Sequence, residues 1–534
     1  MKTKWLAIGI ILLFVGTCIT PTIAQDTEKP LPASRGTWLY VGGSGPGNYT
    51  KIQDAINDSS DGDTVFVFSG TYYERLILNT SINLIGEDKH STIIKSNESY
   101  YGGDKHIATV FASGVTISGF RIQNGEDGIE INRFGFPNTS HSNNISGNIF
   151  EGCGGCAVRV VDSNNNTISN NIINNTDNGG LDIGGNDNII SGNKITNLIW
   201  YAIRIIHDPQ GNLVTNNNIS NCVSGIQLQY CNNNTISKNI LVDCLYGLIF
   251  QQSRDNIISD NSFLNSGLFV FEDALYNTVS NNTVNGKSLL YLEFKSNQVI
   301  DEDAGQIIVV HCNNISVKNQ DISNTTVGVQ LLISDNCSIT ENTLTANLYG
   351  LFIQSSFNNV ISENNISENK YHGITFISCY DSIISRNILK GNNQLYFLFD
   401  VLFVFFGYNS SAGIFIVDSF RNTIMENSIY SNNYNGISLI LSGRNIISNN
   451  SLRLNNHTGL LLFGSLFNRI YNNTFLDNKN DAFFNMCFCN RWKGNYWNEA
   501  RRLPKLIHGK LLFRSWINID WHPAQEPYDI PRMS

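Results

Sequence analysis

Polar and apolar positions along this chain alternate in short bursts of three or four residues, each bounded by Asn or Gly. One burst is a hexamer that recurs as Asn166-Thr-Ile-Ser-Asn-Asn171, Asn188-Ile-Ile-Ser-Gly-Asn193, Asn234-Thr-Ile-Ser-Lys-Asn239, Asn359-Val-Ile-Ser-Glu-Asn364 and Asn445-Ile-Ile-Ser-Asn-Asn450. A second is Gly followed by apolar, any, apolar, as in Gly128-Ile-Glu-Ile131, Gly180-Leu-Asp-Ile183, Gly225-Ile-Gln-Leu228, Gly350-Leu-Phe-Ile353 and Gly436-Ile-Ser-Leu439. Period-two alternation this brief, framed by bend-forming residues, predicts short strands.

The second Asn of the hexamer serves as a register mark at 148, 171, 193, 217, 239, 261, 282, 319, 342, 364, 387, 427, 450 and 473. Eleven of the thirteen steps are 21 to 24 residues. A repeat of about 23 residues suits one coil of two or three strands, whereas helical repeats and propeller blades run longer. The expected fold is all-β, a single-stranded right-handed parallel β-helix solenoid. About 17 coils would make it roughly 80 Å long at about 4.8 Å per coil. Asn suits the bends because it tolerates left-handed backbone angles. Stacked Asn amides can also hydrogen-bond from coil to coil as a ladder.

Two steps are longer, from Asn282 to Asn319 and from Asn387 to Asn427. They predict insertions at about 283–310 and 392–411, expected as loops at the bends. The second contains the aromatic run Leu395 to Phe406, which could cover an apolar face or touch a membrane or protein partner. Asp400 and the short length exclude an ordinary span there, so no transmembrane crossing is expected in the mature chain.

Residues 1–24 read as a signal peptide, with Lys2 and Lys4 before an apolar stretch and a small-residue site ending at Ala24. Residues 25–37 read as a linker, 38–485 as the β-helix and 486–534 as a C-terminal capping module. That module holds four of the seven tryptophans, Trp492, Trp497, Trp516 and Trp521. At the front, Ile52, Ala55 and Ile56 have helical spacing and predict an N-terminal cap. A net charge of −9 without a basic stripe excludes electrostatic nucleic-acid binding.

The segment Gly62-Asp-Thr-Val-Phe-Val-Phe-Ser-Gly-Thr-Tyr-Tyr-Glu74 and the Asn-bounded repeats together resemble the pectin-lyase-like β-helix superfamily. Within it they are most similar to the family of the periplasmic copper-processing protein NosD and to archaeal surface β-helix proteins. The resemblance covers about residues 38 to 480. It implies the fold and an extracytoplasmic, secreted or cell-surface location. Lyase, hydrolase, esterase, binding and copper-site accessory roles all remain open under it. Gly70-Thr-Tyr-Tyr-Glu74 is similar to a pectin methylesterase segment, but that family's paired aspartates and Arg-Pro-Trp segment have no counterpart here.

The candidate chemistry lies at the middle position of the Gly-led strand. Read along the coils it is Glu130, Arg159, Asp182, Arg204 and Gln227, and then mostly apolar, with Ile249, Phe352, Thr375, Phe415, Ser438 and Leu461. His207 and Asp208 follow the strand end. Such a charged column can bind a glycan or another surface polymer, or carry acid–base chemistry in a polysaccharide lyase or hydrolase. It can also be only a set of exposed inter-coil salt bridges. The reading favours polymer binding over catalysis.

No cofactor is expected on motif grounds. Copper or calcium enters only through the family, and the soft donors Met486, Cys487 and Cys489 are weak metal candidates. Of the 11 cysteines, ten follow the signal segment. Cys153 and Cys156, in Cys-Gly-Gly-Cys, are the expected local disulfide. The stacked positions of Cys222 with Cys244, and of Cys231 with Cys379, suggest a thiol ladder.

Overall fold

The computed structural model describes residues 36–96, 105–132, 140–271, 274–392, 412–511 and 514–529. The signal segment 1–24, most of the linker and the aromatic run 395–406 lie outside these residues. The described chain winds into a parallel β-solenoid of about 19 turns. The count exceeds 17 because the terminal turns lack the Asn mark. Trp38–Val41 pairs with Thr64–Val67 at the front, and Arg469–Tyr471 with Arg491–Lys493 at the rear.

One turn holds three strands, for example Thr167–Ser169, Ile172–Asn174 and Gly179–Gly184. Each pairs in parallel with its counterpart in the next turn, Ile189–Ser191, Lys194–Thr196 and Tyr201–Ile206. Three sheets result, here called first, second and third in that order. Ile168, Ile173, Leu181 and Ile183 point inward and are fully buried. Left-handed Asn170 and Asn175 turn the corners.

The Asn ladder satisfies the backbone at the corner between the first and second sheets. Asn171 donates its backbone N–H to Asn193 Oδ1 at 3.0 Å, and its Nδ2 to the same oxygen at 3.1 Å and to the Ile145 carbonyl at 2.9 Å. The same pattern recurs at Asn217, Asn239 and Asn261, and from Asn364 to Asn473. Asn319 is not a rung, because it occupies a left-handed bend. Gln320 takes the place, its N–H reaching Asn342 Oδ1 at 2.9 Å. Buried Asp520 ends the ladder, accepting the N–H of Gly494 and Asn495, the Asn495 Nδ2 and the Trp497 Nε1. A parallel ladder further round the turn uses Ser and Cys, running Ser419, Ser442, Ser465, Cys487.

The 283–310 insertion is not a loop. After Gly286, in a left-handed turn, Lys287–Glu293 folds back antiparallel on Thr283–Val284 and then pairs in parallel with Ala304–Val310. The second sheet of the first half thus feeds through a hairpin into the third sheet of the second half. The third sheet of the first half stops at Leu268–Val270. Its open edge is closed by side chains: Gln306 exchanges two hydrogen bonds with the Leu268 backbone (2.9 and 2.7 Å), and Gln330 two with Val270 (3.2 and 2.6 Å). The solenoid is therefore two-lobed, with residues 38–284 in one lobe and 287–520 in the other.

This junction corrects the expectation of one continuous outer column. Ile249 and Phe352 belong to two columns that meet face to face, in a cluster of Tyr246, Ile249, Phe269, Leu348, Tyr349, Phe352 and Tyr371. Phe269, stacked on Ile249 in the next turn, packs its ring 4.9 Å from that of Phe352, so the apolar outer residues of the two columns bury one another at the lobe boundary. Farther along the second lobe, Thr375, Phe415 and Ser438 are also buried.

At the front, the helix Ile52–Asn57 buries Ile52, Ala55 and Ile56. Glu74 accepts the N–H groups of Ile52 and Gln53 at 2.8 and 2.9 Å, so the acidic end of the Gly-Thr-Tyr-Tyr-Glu segment holds a helix start. At the rear, Lys505–Leu511 and Arg514–Asp520 form an antiparallel hairpin. Trp492 and Trp497 are buried, and Trp516 and Trp521 are exposed. Among the described residues no helix is long and apolar enough to cross a membrane.

Candidate functional site

The third sheet of the first lobe stacks Glu130, Arg159, Asp182, Arg204 and Gln227 in one register column. The Gly-led strands dictate this. Their apolar residues fill the core, so the residue between them faces outward in every turn. Parallel in-register pairing then sets those residues about 4.8 Å apart along the axis.

Glu130, Arg159 and Asp182 of this column form the floor of a groove of about 550 Å³, lined also by His106, Glu126, Asp127, Asp162 and His207 among others, with Arg204 at its border through its pair with Asp182. Arg159 donates Nε to Asp127 at 2.8 Å and Nη2 to its other oxygen at 3.2 Å, and its Nη1 lies 3.8 Å from Asp182. Arg204 grips Asp182 through two hydrogen bonds of 3.0 and 2.8 Å. Its guanidinium also lies 4.3 Å over the Tyr201 ring. Both arginines are partly exposed while their carboxylate partners are buried, so the pairs fix the shape of the groove and keep the buried carboxylates from standing unpaired.

The upper end of the groove has a different character. His106 sits between two carboxylates, with Nδ1 3.2 Å from Asp127 and Nε2 3.2 Å from Glu130. Asp127 is 1% exposed and also accepts the Cys156 N–H at 2.6 Å. Gly155 makes that burial feasible, because a Cβ there would lie 2.3 Å from Asp127 Oδ1. Burial works to lower the His106 pKa, but the contact with Asp127 and the charge of Glu130 outweigh it and hold it above its ordinary value. Burial likewise opposes the Asp127 charge, yet His106 and Arg159 keep its pKa below the usual carboxylate value. Glu130 goes the other way. Burial raises its pKa, His106 only partly offsets this, and the neighbouring Asp127 charge adds to it. Two carboxylates in one groove are therefore pushed apart in acidity, a pattern characteristic of acid–base sites.

The column expected from sequence stands together, with His207 on the groove wall. Asp208 turns away to accept Asn232 Nδ2 at 3.4 Å, and Gln227 follows Arg204 beyond the groove lining. His106 and Asp127 escaped the sequence reading. Asp127 stands three residues before Glu130, and His106 three before Thr109, the residue stacked on Glu130 in the preceding turn. Applying that offset across adjacent turns would have found the pair.

Cys153 and Cys156 are free, buried thiols, which overturns the expected disulfide. Cys156 opens the third-sheet strand and points its Sγ at Tyr201 Oη, 3.4 Å away. Gly179 lies between them, where a Cβ would meet the Tyr201 ring at 2.3 Å. Burial pushes both thiols up to about 12, so neither is a reactive thiolate at neutral pH. Cys231 neighbours Ser253 and Cys379 neighbours Ser419 in the next turn, so those ladders mix hydroxyl and thiol.

Among the described residues, one group of His, Cys, Asp and Glu side chains brings three ligand atoms within 4.8 Å: His106, Asp127 and Glu130. It does not fit copper as a soft-ligand site. The donors are one imidazole and two carboxylates, and Arg159 already occupies Asp127. Met486, Cys487 and Cys489 do not converge either. Met486 and Cys489 have left-handed backbones that break the strand alternation, leaving Cys487 buried in its ladder and Cys489 exposed.

A model of the right-handed beta helix region matches residues 55–195 and 138–299, and that of the periplasmic copper-binding protein NosD matches 291–397 and 406–502. The chain is a NosD-like right-handed β-helix protein. The two matches divide close to the lobe junction, so the groove lies in the part matched by the β-helix model. A cell surface glycoprotein of Methanothermus fervidus is 39% identical over 83 residues, which are 15% of this chain and 13% of that protein. This β-helix protein thus aligns with only about an eighth of that relative's length. Among solved structures, the catalytic domain of a GH87 alpha-1,3-glucanase in complex with tetrasaccharides shares 16% identity. It covers 67% of this chain and 69% of its own, with a TM-score of 0.34. Pectin methylesterase from carrot shares 14%, covering 48% and 85%, with a TM-score of 0.32. Likenesses this loose carry no argument about activity.

Proposed function

We propose that this NosD-like β-helix protein works outside the cytoplasm, at the cell surface or secreted, and binds a neutral glycan in its first-lobe groove. The carrying observation is a groove floor of pre-paired carboxylates and guanidiniums, from Asp127–Arg159 to Asp182–Arg204. Groups already locked by bidentate pairing lose little freedom when a ligand arrives, and planar groups are suited to the hydroxyl pairs of a sugar. The charge of the lining narrows the class. Glu126, Asp127, Glu130, Asp162 and Asp182 outnumber His106, Arg159 and the Arg204 that pairs with Asp182, so a polyanionic chain would meet net repulsion. The surface location is supported by the cell surface glycoprotein relative and the periplasmic description of the matching family.

Binding to an array of neutral glucans, mannans, galactans and arabinans, with polygalacturonate and heparin as anionic controls, tests the reading. The expected result is retention of at least one neutral polymer, weakened about tenfold or more by Arg204→Ala. Retention of anionic polymers alone, or of none, would overturn it.

A further inference from the structure

We infer that the groove also cleaves the glycan it holds, with Glu130 as general acid and Asp182 as general base of an inverting hydrolysis. This deepens the binding reading and rests on it. The register column sets Glu130 and Asp182 two turns apart on one face, with Arg159 between them. Two strand spacings amount to about 9.6 Å. That backbone spacing stands just above the carboxyl separation, roughly 6.5–9.5 Å, that leaves room for a sugar bond and an attacking water. Arg159 stands between them, its guanidinium held on Asp127 with Nη1 3.8 Å from Asp182, where it forms the floor beneath the bond to be cut.

The surroundings of the two carboxyls suit opposite roles. Glu130 is 6% exposed and no guanidinium hydrogen-bonds to it. Its Oε2 has only the His106 ring nitrogen at 3.2 Å, too poorly aligned to count as a hydrogen bond. Buried among Glu126 and Asp127, it is the carboxyl that best keeps a proton. Asp182 accepts both Arg204 donors, yet each carboxylate oxygen retains a lone pair for a water. Asp127 is too deeply buried to meet substrate and serves as a positioning residue for His106 and Arg159.

In the step, Glu130 gives its proton to the glycosidic oxygen as the bond from that oxygen to the anomeric carbon breaks. A water attacks the opposite face of that carbon and passes a proton to Asp182. The products are two shorter chains, one with a new reducing end of inverted configuration. Solvent exchange returns the proton from Asp182 to Glu130.

The test uses whichever neutral polymer the array retains. Reducing-end release and binding are measured for the wild-type chain, Glu130→Gln and Asp182→Asn, with thermal melts confirming that each variant folds. A general acid or base contributes about 10²–10⁴-fold. Release should therefore fall at least about a hundredfold in each variant, well beyond the roughly tenfold loss of binding that Asp182→Asn is expected to share with Arg204→Ala, and NMR should show the inverted anomer first. Binding without release overturns the inference and leaves the binding reading intact. Loss of binding by the wild type defeats both. Release that survives Glu130→Gln, or a retained anomer, overturns the assignment. Should Asp182→Asn fail to fold, Asp182→Glu serves in its place, with release expected to fall by more than binding.

Discussion

The two lobes share one repeat, one Asn ladder and one core chemistry, yet their third sheets present opposite outer surfaces. In the first lobe the outward column is Glu130, Arg159, Asp182, Arg204 and Gln227, and its first three members floor a groove. In the second, the corresponding column runs Gln330, Phe352, Thr375, Phe415, Ser438 and Leu461, and most of it is buried. Inward positions must keep Ile, Leu and Val to fill the solenoid, and the ladder positions must keep an amide to satisfy buried backbone. The outward position is free of both demands. Function and lobe packing are written there, on a scaffold that either surface leaves unchanged.

Substitutions can break that comparison at graded strengths. The largest effect is expected from Phe352→Ala, which empties a fully packed aromatic site at the lobe junction, where Phe269 lies 4.9 Å away ring to ring. A loss of about 3–5 kcal/mol is expected in denaturant unfolding. Next comes Gln330→Ala, which leaves both Val270 backbone groups unpaired at the closed sheet edge. It should cost about 2–4 kcal/mol, and hydrogen exchange should rise at Leu268–Val270 before elsewhere.

Ladder substitutions test what the lobes have in common. Asn239→Ala in the first lobe and Asn450→Ala in the second each strand a buried backbone N–H that the Asn oxygen had accepted, from Asn217 and Asn427 respectively. Both should cost about 1–3 kcal/mol and by similar amounts. A twofold or larger disparity in calorimetry would mean that the lobes differ in more than their faces. Arg204→Ala should change stability by no more than about 1 kcal/mol while weakening glycan retention, because its ion pair is partly solvated.

The smallest effect is on pH dependence. The raised His106 pKa means the folded state holds that proton more tightly than the unfolded chain. Its stabilisation is complete below the ordinary value of 6.5 and is lost as pH rises through the raised folded value. The raised Glu130 pKa acts in the same direction, because its neutral form is the one the fold favours. Asp127 opposes them at low pH, where protonation through its lowered value removes its pairing with His106 and Arg159. Melts between pH 6 and 9 should thus show a decline that His106→Gln reduces, and an unchanged slope would show that His106 is not held between the two carboxylates.

Much of this was legible without coordinates. The spacing from Asn148 to Asn282 set the turns, and the residue between the two apolar positions of each Gly-led strand set the charged column. Asn319 misled because it stands beside Gln320, and either can mark a corner; only the bond to Asn342 decides between them. His106 and Asp127 were missed because neither sits in a strand motif and they meet only across adjacent turns. Cys153 and Cys156 suggested a bridge by proximity in sequence, but strand pairing directs Cys156 to Tyr201.

By itself the sequence determined the solenoid, its repeat of about 23 residues, its Asn-lined corners and the polarity of one outer face, while the third strand of each turn came from the structure. These are local, repeated choices, and each turn contacts chiefly its neighbours, so a one-dimensional pattern suffices. Tertiary structure alone decided that the chain breaks into two lobes at residues 284–287, that Gln side chains close the open edge, and that Phe269 meets Phe352. It also decided that His106 lies between two carboxylates. The lobe-junction contacts join residues that no repeat register relates, whereas the His106 cluster meets across adjacent turns, and the energies of both depend on burial and distance, which exist only once the turns have stacked.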